Sequence, residues 1–310
     1  MTGPSVEPQT YEESWEEVHR FLLEARAAGL SSIGDVLHFI RARAAVRWSH
    51  FDRMAKTVTK RLQVPLQPDG SPVASLYVAN GNYTLAPSAL LDQTIARTVA
   101  AHVSAATECV IELGSGWGQN VFDVALICAN WPTLRYFACE PTDAGRRVTH
   151  EVAALSPRLD ITTCDFNYYD PRYSFLEGRP NCIVFTCHSV EQIPSFPAEA
   201  IMRLLDSTGP CIGIHWEPVG WQRDPTLAAA ARTAEFARAE VEIRDGKVQE
   251  SAARWAATHG YNRDFLSVLG SLAERHLIEI QVAVYDLFGV NPLNPSSLII
   301  WKKSDTDGAA

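Results

Sequence analysis

The run Val110-Ile-Glu-Leu-Gly-Ser-Gly-Trp-Gly-Gln-Asn120 constrains this chain more than any other stretch. Cys109 to Leu113 is a short apolar run of the kind that forms a buried strand. Gly114, Gly116 and Gly118 follow, and an amphipathic run from Val121 to Trp131 then reads as a helix. Strand, glycine turn and helix together bring backbone N–H groups and a helix N-terminus beside a bound nucleotide. Glycine permits the φ > 0 turn and lets a ligand come close to the backbone.

The glycine spacing separates two cofactor classes. A dinucleotide site wants G-x-G-x-x-G, and here Gln119 stands where the third glycine of that pattern belongs. The observed pattern is G-x-G-x-G, with an acid, Glu112, two residues before the first glycine. E-x-G-x-G-x-G after an apolar strand resembles the first motif of the class I S-adenosylmethionine (SAM)-dependent methyltransferases. The resemblance covers roughly residues 76–303 in the order of motifs, and only the glycine motif is specific. It implies an α/β fold: a seven-stranded, mostly parallel, doubly wound Rossmann-like sheet. It also implies SAM as cofactor and S-adenosylhomocysteine as product.

What the resemblance implies can be carried over residue by residue. Glu112, Gly114, Ser115, Gly116, Gly118 and Asn120 would form the loop around the methionine and ribose end of SAM. Glu140 ends the second sheet strand 22 residues after Gly118. That is close to the roughly 20 expected of a ribose-binding acid. At the end of the third strand, Asp165 would bond the adenine amino group and Phe166 would pack on its ring. Cys187 and His188 end the fourth strand, where family members touch both SAM and substrate. The segment there is not the Asn/Asp-Pro-Pro-aromatic motif of the amino-methylating DNA and glutamine enzymes. Tyr83 and Asn82, in the segment before the glycine strand, would meet cofactor and substrate respectively.

Bulk properties restrict the partners. Net charge is −9 and pI about 5.5 over 310 residues, which gives no electrostatic reason to expect nucleic acid or an anionic membrane. No apolar run approaches the roughly 18 residues of a membrane span, and Met1–Thr10 lacks a secretory pattern. Seven cysteines without a C-x-x-C pair suggest reduced, buried thiols and a cytoplasmic setting. No residue spacing calls for a metal. The expected partner is a small-molecule or peptide-borne acceptor. The oligomeric state stays open, a homodimer among the options.

Read in order, the chain begins with residues 1–9, expected to be disordered. Residues 1–75 form an N-terminal helical cap segment. Tyr11, Trp15, Val18 and Leu22 recur at helical spacing, and a longer basic helix spans about 32–62. Residues 63–73 are a turn-rich linker. Leu76–Leu85 carries the Asn80-Gly81 turn signal. From Cys109 strand and helix alternate, with strands expected at 109–113, 134–139, 159–164, 181–187 and 209–215, then 278–284 and 298–302. A helical insertion at about 223–259, with one helix over 225–242 and another over 247–258, exceeds the minimal fold. With the N-terminal helices it is expected to cap the open sheet edge. Residues 304–310 are a polar tail.

Ligands of open α/β sheets sit beyond the carboxyl ends of the strands. The fifth strand ends in Ile214-His-Trp-Glu-Pro218, with Trp221 close behind. His215 and Glu217 are therefore candidates for the general base, Trp216 and Trp221 for the pocket wall, His188 for a further base, and Glu191 for a substrate contact. A hydroxyl, amine-type or carbon nucleophile needs such a base, whereas a carboxylate does not. Two alternatives remain at this level: a catalytically idle SAM-binding partner subunit, and an NAD-dependent oxidoreductase. Gln119 and the hundred-odd residues before the glycines disfavour the latter.

Overall fold

A computed structural model describes residues 8–47, 75–79, 82–86, 89–238, 248–289, 291 and 293–304. The second half of the basic helix, the 63–73 linker, the Asn80-Gly81 turn and the terminal tails from 1 to 7 and from 305 lie outside them. So do residues 239–242 of the expected 225–242 helix.

Helix α1 (Pro8–Ala27) and α2 (Ile33–Arg47) come first. Gly29, with φ 81°, turns the chain between them, as a left-handed residue past a helix end does. Val18, Leu22 and Ala25 of α1 and Ile33, Val36, Leu37 and Ile40 of α2 pack against Trp117, Phe122, Val148 and Val152. The first pair of strands, β1 (Ser75–Ala79) and β2 (Asn82–Ala86), forms an antiparallel hairpin. Helix α3 (Ala89–Ala100) leads into β3.

The main sheet contains β3 (Cys109–Leu113), β4 (Arg135–Cys139), β5 (Asp160–Cys164), β6 (Cys182–Cys187), β7 (Cys211–Glu217), β8 (Ile278–Phe288) and β9 (Ser296–Lys303). Their spatial order is β5-β4-β3-β6-β7-β9-β8, with β9 antiparallel to both neighbours. Counted within this sheet the order is 3-2-1-4-5-7-6. This is the doubly wound sheet with a closing hairpin that the glycine motif implied. A dinucleotide fold runs 3-2-1-4-5-6; the hairpin that inserts β9 between β7 and β8 departs from that order.

Helices α4 (Gln119–Ile127), α5 (Asp143–Ala153), α6 (Ala198–Ser207) and α10 (Phe265–Glu274) cover the sheet. One face packs Ile111, Val184, Phe196 and Phe265; the other packs Val110, Val124, Phe185, Ile214 and Trp216. Burial on both faces explains why β3 and β6 read as mostly apolar runs, interrupted only by Glu112 and Thr186. After β7 come α7 (Pro225–Ala230), α8 (Ala234–Arg238) and α9 (Val248–His259). The single helix expected from 225 is thus broken. Asp224 caps α7 by accepting from Thr226 and Leu227 N–H, and Thr233 Oγ1 accepts from Phe236 N–H to start α8. These helices gather around Trp221 as a separate apolar cluster. All seven cysteines are free, and all but Cys187 are buried. Among the described residues, no helix is long and apolar enough to cross a membrane.

Candidate cofactor and acceptor site

Gly114, Gly116 and Gly118 all have positive φ, at 70°, 55° and 83°. A Cβ at Gly114 would stand 2.4 Å from Ser189 Cβ, and one at Gly116 2.9 Å from Trp15 Cζ2. Only glycine fits this loop. Glu112 holds its far end: Asn120 Nδ2 donates to Oε1 at 2.8 Å and Val121 N–H to Oε2 at 3.1 Å. Burial pushes the Glu112 carboxyl up to about 8, against the pull of these two donors.

Glu140 stands one strand away and closes the near end. Gly116 N–H donates to its Oε2 at 2.9 Å, and Thr142 Oγ1 donates to Oε1 at 2.6 Å. Burial raises the Glu140 carboxyl, and these donors offset part of that rise. Acid and glycine loop are therefore one preassembled unit. Arg146 Nη1 donates to the backbone oxygens of Glu140 and Pro141 and to Asp165 Oδ1 at 3.2 Å. Asp165 is at the open rim, its side chain 80% exposed. Phe166 is not: it is buried edge-on against Tyr168 and near Tyr173. It cannot lie on an adenine ring, because the chain turns it into the sheet-face core directly after β5. Tyr83 and Asn82 lie on β2.

At the end of β6 the chain passes through His188 with φ 53°, a left-handed conformation uncommon outside glycine. His188 Nδ1 lies 3.1 Å from Glu191 Oε1, and its Nε2 lies 2.6 Å from Ser296 Oγ. Glu191 also accepts from Gln192 Nε2 at 2.8 Å and Asn294 Nδ2 at 2.6 Å. Assigning Nδ1–H as donor to the carboxylate leaves Nε2 as the acceptor nitrogen. Burial opposes the imidazolium, but the charge and hydrogen bond of Glu191, with Glu217 behind, outweigh it and raise His188 above its ordinary value. The imidazole keeps a 30% exposed edge, whereas Glu191 is almost fully enclosed. Cys187, just before, is half-buried. The segment is tied to β3 through Ser189 Oγ, which donates to Leu113 O at 2.7 Å.

The end of β7 differs from its expected form. The strand continues two residues further, to Glu217, paired with β6 on one side and β9 on the other. His215 and Glu217 therefore lie inside the sheet rather than beyond it. Trp301 Nε1–H donates to His215 Nε2 at 2.8 Å, and Thr186 Oγ1 lies 2.9 Å from Nδ1. Burial drives His215 down to about 3, so it stays neutral with its lone pair already taken. Glu217 accepts the N–H groups of Ser189, Val190 and Glu191, and burial pushes it up to about 7. Glu217 holds the β6 loop in place and His215 ties Thr186 of β6 to Trp301 of β9, so both have their hydrogen-bonding atoms committed within the protein. Trp216 and Trp221 are each 1% exposed, one in the sheet core and one in the insertion core, so neither walls a pocket.

Other residues reach the site unannounced by any motif. Asn294 and Ser296 come from the β8–β9 turn, where the sequence shows only a proline-rich connection. Tyr11 and Trp15 come from α1. The Tyr11 phenol is raised by burial and then by the nearby charges of Tyr261, Glu191 and Glu140. Helical spacing had marked Tyr11 and Trp15 only as apolar stripe. A surface depression between Pro171, Leu176, Arg179 and Arg203 lies along the β5–β6 connection and contains none of these groups.

No family model matches the sequence, and no curated protein matches it. Solved structures share the course of the chain. The plantazolicin methyltransferase BpumL, solved with a triazolic desmethylPZN analog and SAH, is 9% identical over 70% of this chain and 84% of its own, with a TM-score of 0.42. The CcbJ methyltransferase from Streptomyces caelestis is 15% identical over 69% of this chain and 90% of its own, also with a TM-score of 0.42. The ribosomal protein L11 methylase from Lactobacillus delbrueckii subsp. bulgaricus is 12% identical over 69% of this chain and 79% of its own, with a TM-score of 0.37. At these values the likeness concerns the fold and carries nothing about substrate or activity.

Proposed function

We propose that this chain is a SAM-dependent methyltransferase for a small-molecule or peptide-borne acceptor whose nucleophile must lose a proton. One observation carries the reading: the left-handed glycine loop and the Glu140 carboxylate form a single unit at the carboxyl edge of the sheet, one strand from the His188–Glu191 pair. The residues fit the cofactor on their own chemistry. The loop has no room for a Cβ, Ser115 Oγ is buried without a partner, and Glu140 offers an acceptor pair of the kind that takes ribose hydroxyls. SAM, when bound, supplies a methyl group already activated on a sulfonium.

The protein's own residues then have three tasks. The loop and Glu140 fix the donor, and holding two reactants in line can be worth about 7–11 kcal/mol. His188 takes the acceptor's proton at Nε2, where the acceptor displaces Ser296 Oγ. Glu191 keeps Nδ1–H oriented and stabilises the imidazolium that forms. Water exclusion falls to a cap made of α1, α2 and the 223–259 insertion, which we read as part of one catalytic unit. Asn262 N–H, just past the insertion, already donates to Glu191 O at 2.9 Å.

Calorimetric titration with S-adenosylhomocysteine tests the cofactor half. Wild type should bind, and Glu140→Ala should lose roughly ten- to hundredfold, the worth of hydrogen bonds to a charged group. Transfer of labelled methyl from SAM to a panel of phenols, amines and thiols tests the other half. Binding of a nicotinamide dinucleotide in place of S-adenosylhomocysteine would overturn the reading.

A further inference from the structure

The glycine loop is roofed by a residue from the other end of the chain. Trp15 lies on Gly116 through one edge of its indole: Cζ2, Cη2 and Cε2 are the atoms a Cβ at Gly116 would meet, at 2.9, 3.3 and 3.4 Å. That edge carries Nε1. The Nε1–H is buried and has no partner, and the same is true of Ser115 Oγ on the adjoining loop residue, which is 7% exposed. Two donors without acceptors thus flank Gly116, whereas buried polar groups in folded proteins are as a rule paired.

Helix α1 is firmly held there. Val18, Leu22 and Ala25 bury against Trp117, Phe122, Val148 and Val152. Glu12 Oε1 accepts from Ala144 N–H at 2.9 Å, an acid at the N-terminus of α5. Arg147 pairs with Glu16, and Glu151 takes both His19 and Arg26. The position of Trp15 is therefore set by the fold.

Resting on the methyltransferase reading, we propose that Trp15 is a cofactor-binding residue. Its Nε1–H and the Ser115 hydroxyl together donate to the carboxylate of the cofactor's methionine part, while the indole edge rests on the loop at Gly116. A carboxylate accepts from several donors at once, which matches two orphaned donors with no acceptor between them. Trp15 thereby binds the amino-acid end of the cofactor.

Two ligands separate these ends: S-adenosylhomocysteine, and 5′-methylthioadenosine, which shares the nucleoside thioether but lacks the amino-acid group. By calorimetry, Trp15→Phe and Ser115→Ala should each lose about tenfold in affinity for S-adenosylhomocysteine, with 5′-methylthioadenosine binding as in wild type. Equal losses for both ligands, or no loss for either, would overturn the proposal while leaving the methyltransferase reading intact. Failure of wild type to bind S-adenosylhomocysteine at all would remove that reading itself. If Trp15→Phe does not fold, hydrogen exchange on the wild type decides. Amides of residues 11–18 should gain protection with S-adenosylhomocysteine and not with 5′-methylthioadenosine, and equal protection by the two would overturn the assignment.

Discussion

Two neighbouring strand ends carry the same residue types and do opposite things. β6 ends at Cys187, with His188 next and Glu191 three residues after it; β7 ends at Glu217, two residues after His215. At β6 the chain leaves the sheet through a left-handed turn, so His188 keeps an exposed edge with a carboxylate behind it. At β7 the strand is paired with β6 through Trp216 and with β9 through Glu217, so its histidine and acid are enclosed among Trp301, Phe265 and the backbone of the β6 loop. Residue type sets what chemistry is available. Where the strand stops decides whether it is used.

That contrast breaks most sharply in kinetics. His188→Ala should lower kcat by about 10²–10⁴-fold, the usual contribution of a positioned base, with S-adenosylhomocysteine affinity close to wild type by calorimetry. A near-native kcat on an accepted substrate would end the role of His188 as base.

His215→Ala should act in the other direction, on stability. It opens a cavity beside Phe265 and orphans the Trp301 N–H, a loss of about 2–4 kcal/mol. Denaturant unfolding measures this loss, and the kcat of the protein that remains folded should hold. A well-folded His215→Ala with a collapsed kcat would reverse the two assignments.

The two histidines should also titrate with opposite sign. His188 is raised in the folded state, so its contribution is complete below the unfolded value, near pH 6.5, and is lost as pH climbs through its folded value. His215 is depressed to about 3, so its contribution is complete above about pH 6.5 and is lost as pH falls towards 3. Melting temperature against pH should therefore lose part of its alkaline slope in His188→Gln and part of its acid slope in His215→Gln. Identical slopes in wild type and both variants would contradict the environments described.

The smallest effect belongs to Ser296→Ala. Removing the hydroxyl from Nε2 takes away one neutral hydrogen bond, about 1 kcal/mol. The acid limb of the pH–rate profile, which reports deprotonation of the His188 base, should move by less than it does in Glu191→Gln, which removes the charge partner. A larger shift from Ser296 than from Glu191 would show that the hydroxyl, and not the carboxylate, sets the imidazole.

Local pattern carried much of this. The glycine spacing, Glu112 and Glu140 were legible because strand, turn and acid follow one another within about thirty residues, and each has a backbone reason to be what it is. Six of the seven sheet strands fell within two residues of their expected bounds, the central ones because strands buried on both faces read as apolar runs; β8 runs on to Phe288, four residues past its expected end. Phe166, Trp216 and Trp221 were misplaced because an aromatic near a strand end reads alike whether it lines a pocket or fills a core. Asn294 and Ser296 had no signal as site residues, and Trp15 had only that of an apolar stripe, each being more than 90 residues from the groups it meets.

By itself, then, the sequence determined the sheet and the glycine loop with its two acids. These depend on periodicity, φ > 0 and short-range spacing. Tertiary structure alone decided which histidine is usable and what roofs the loop. The reason is physical: whether β7 stops at 215 or at Glu217 depends on pairing with β9, some eighty residues downstream, and Trp15 reaches Gly116 only because α1 buries its stripe on α4 and α5.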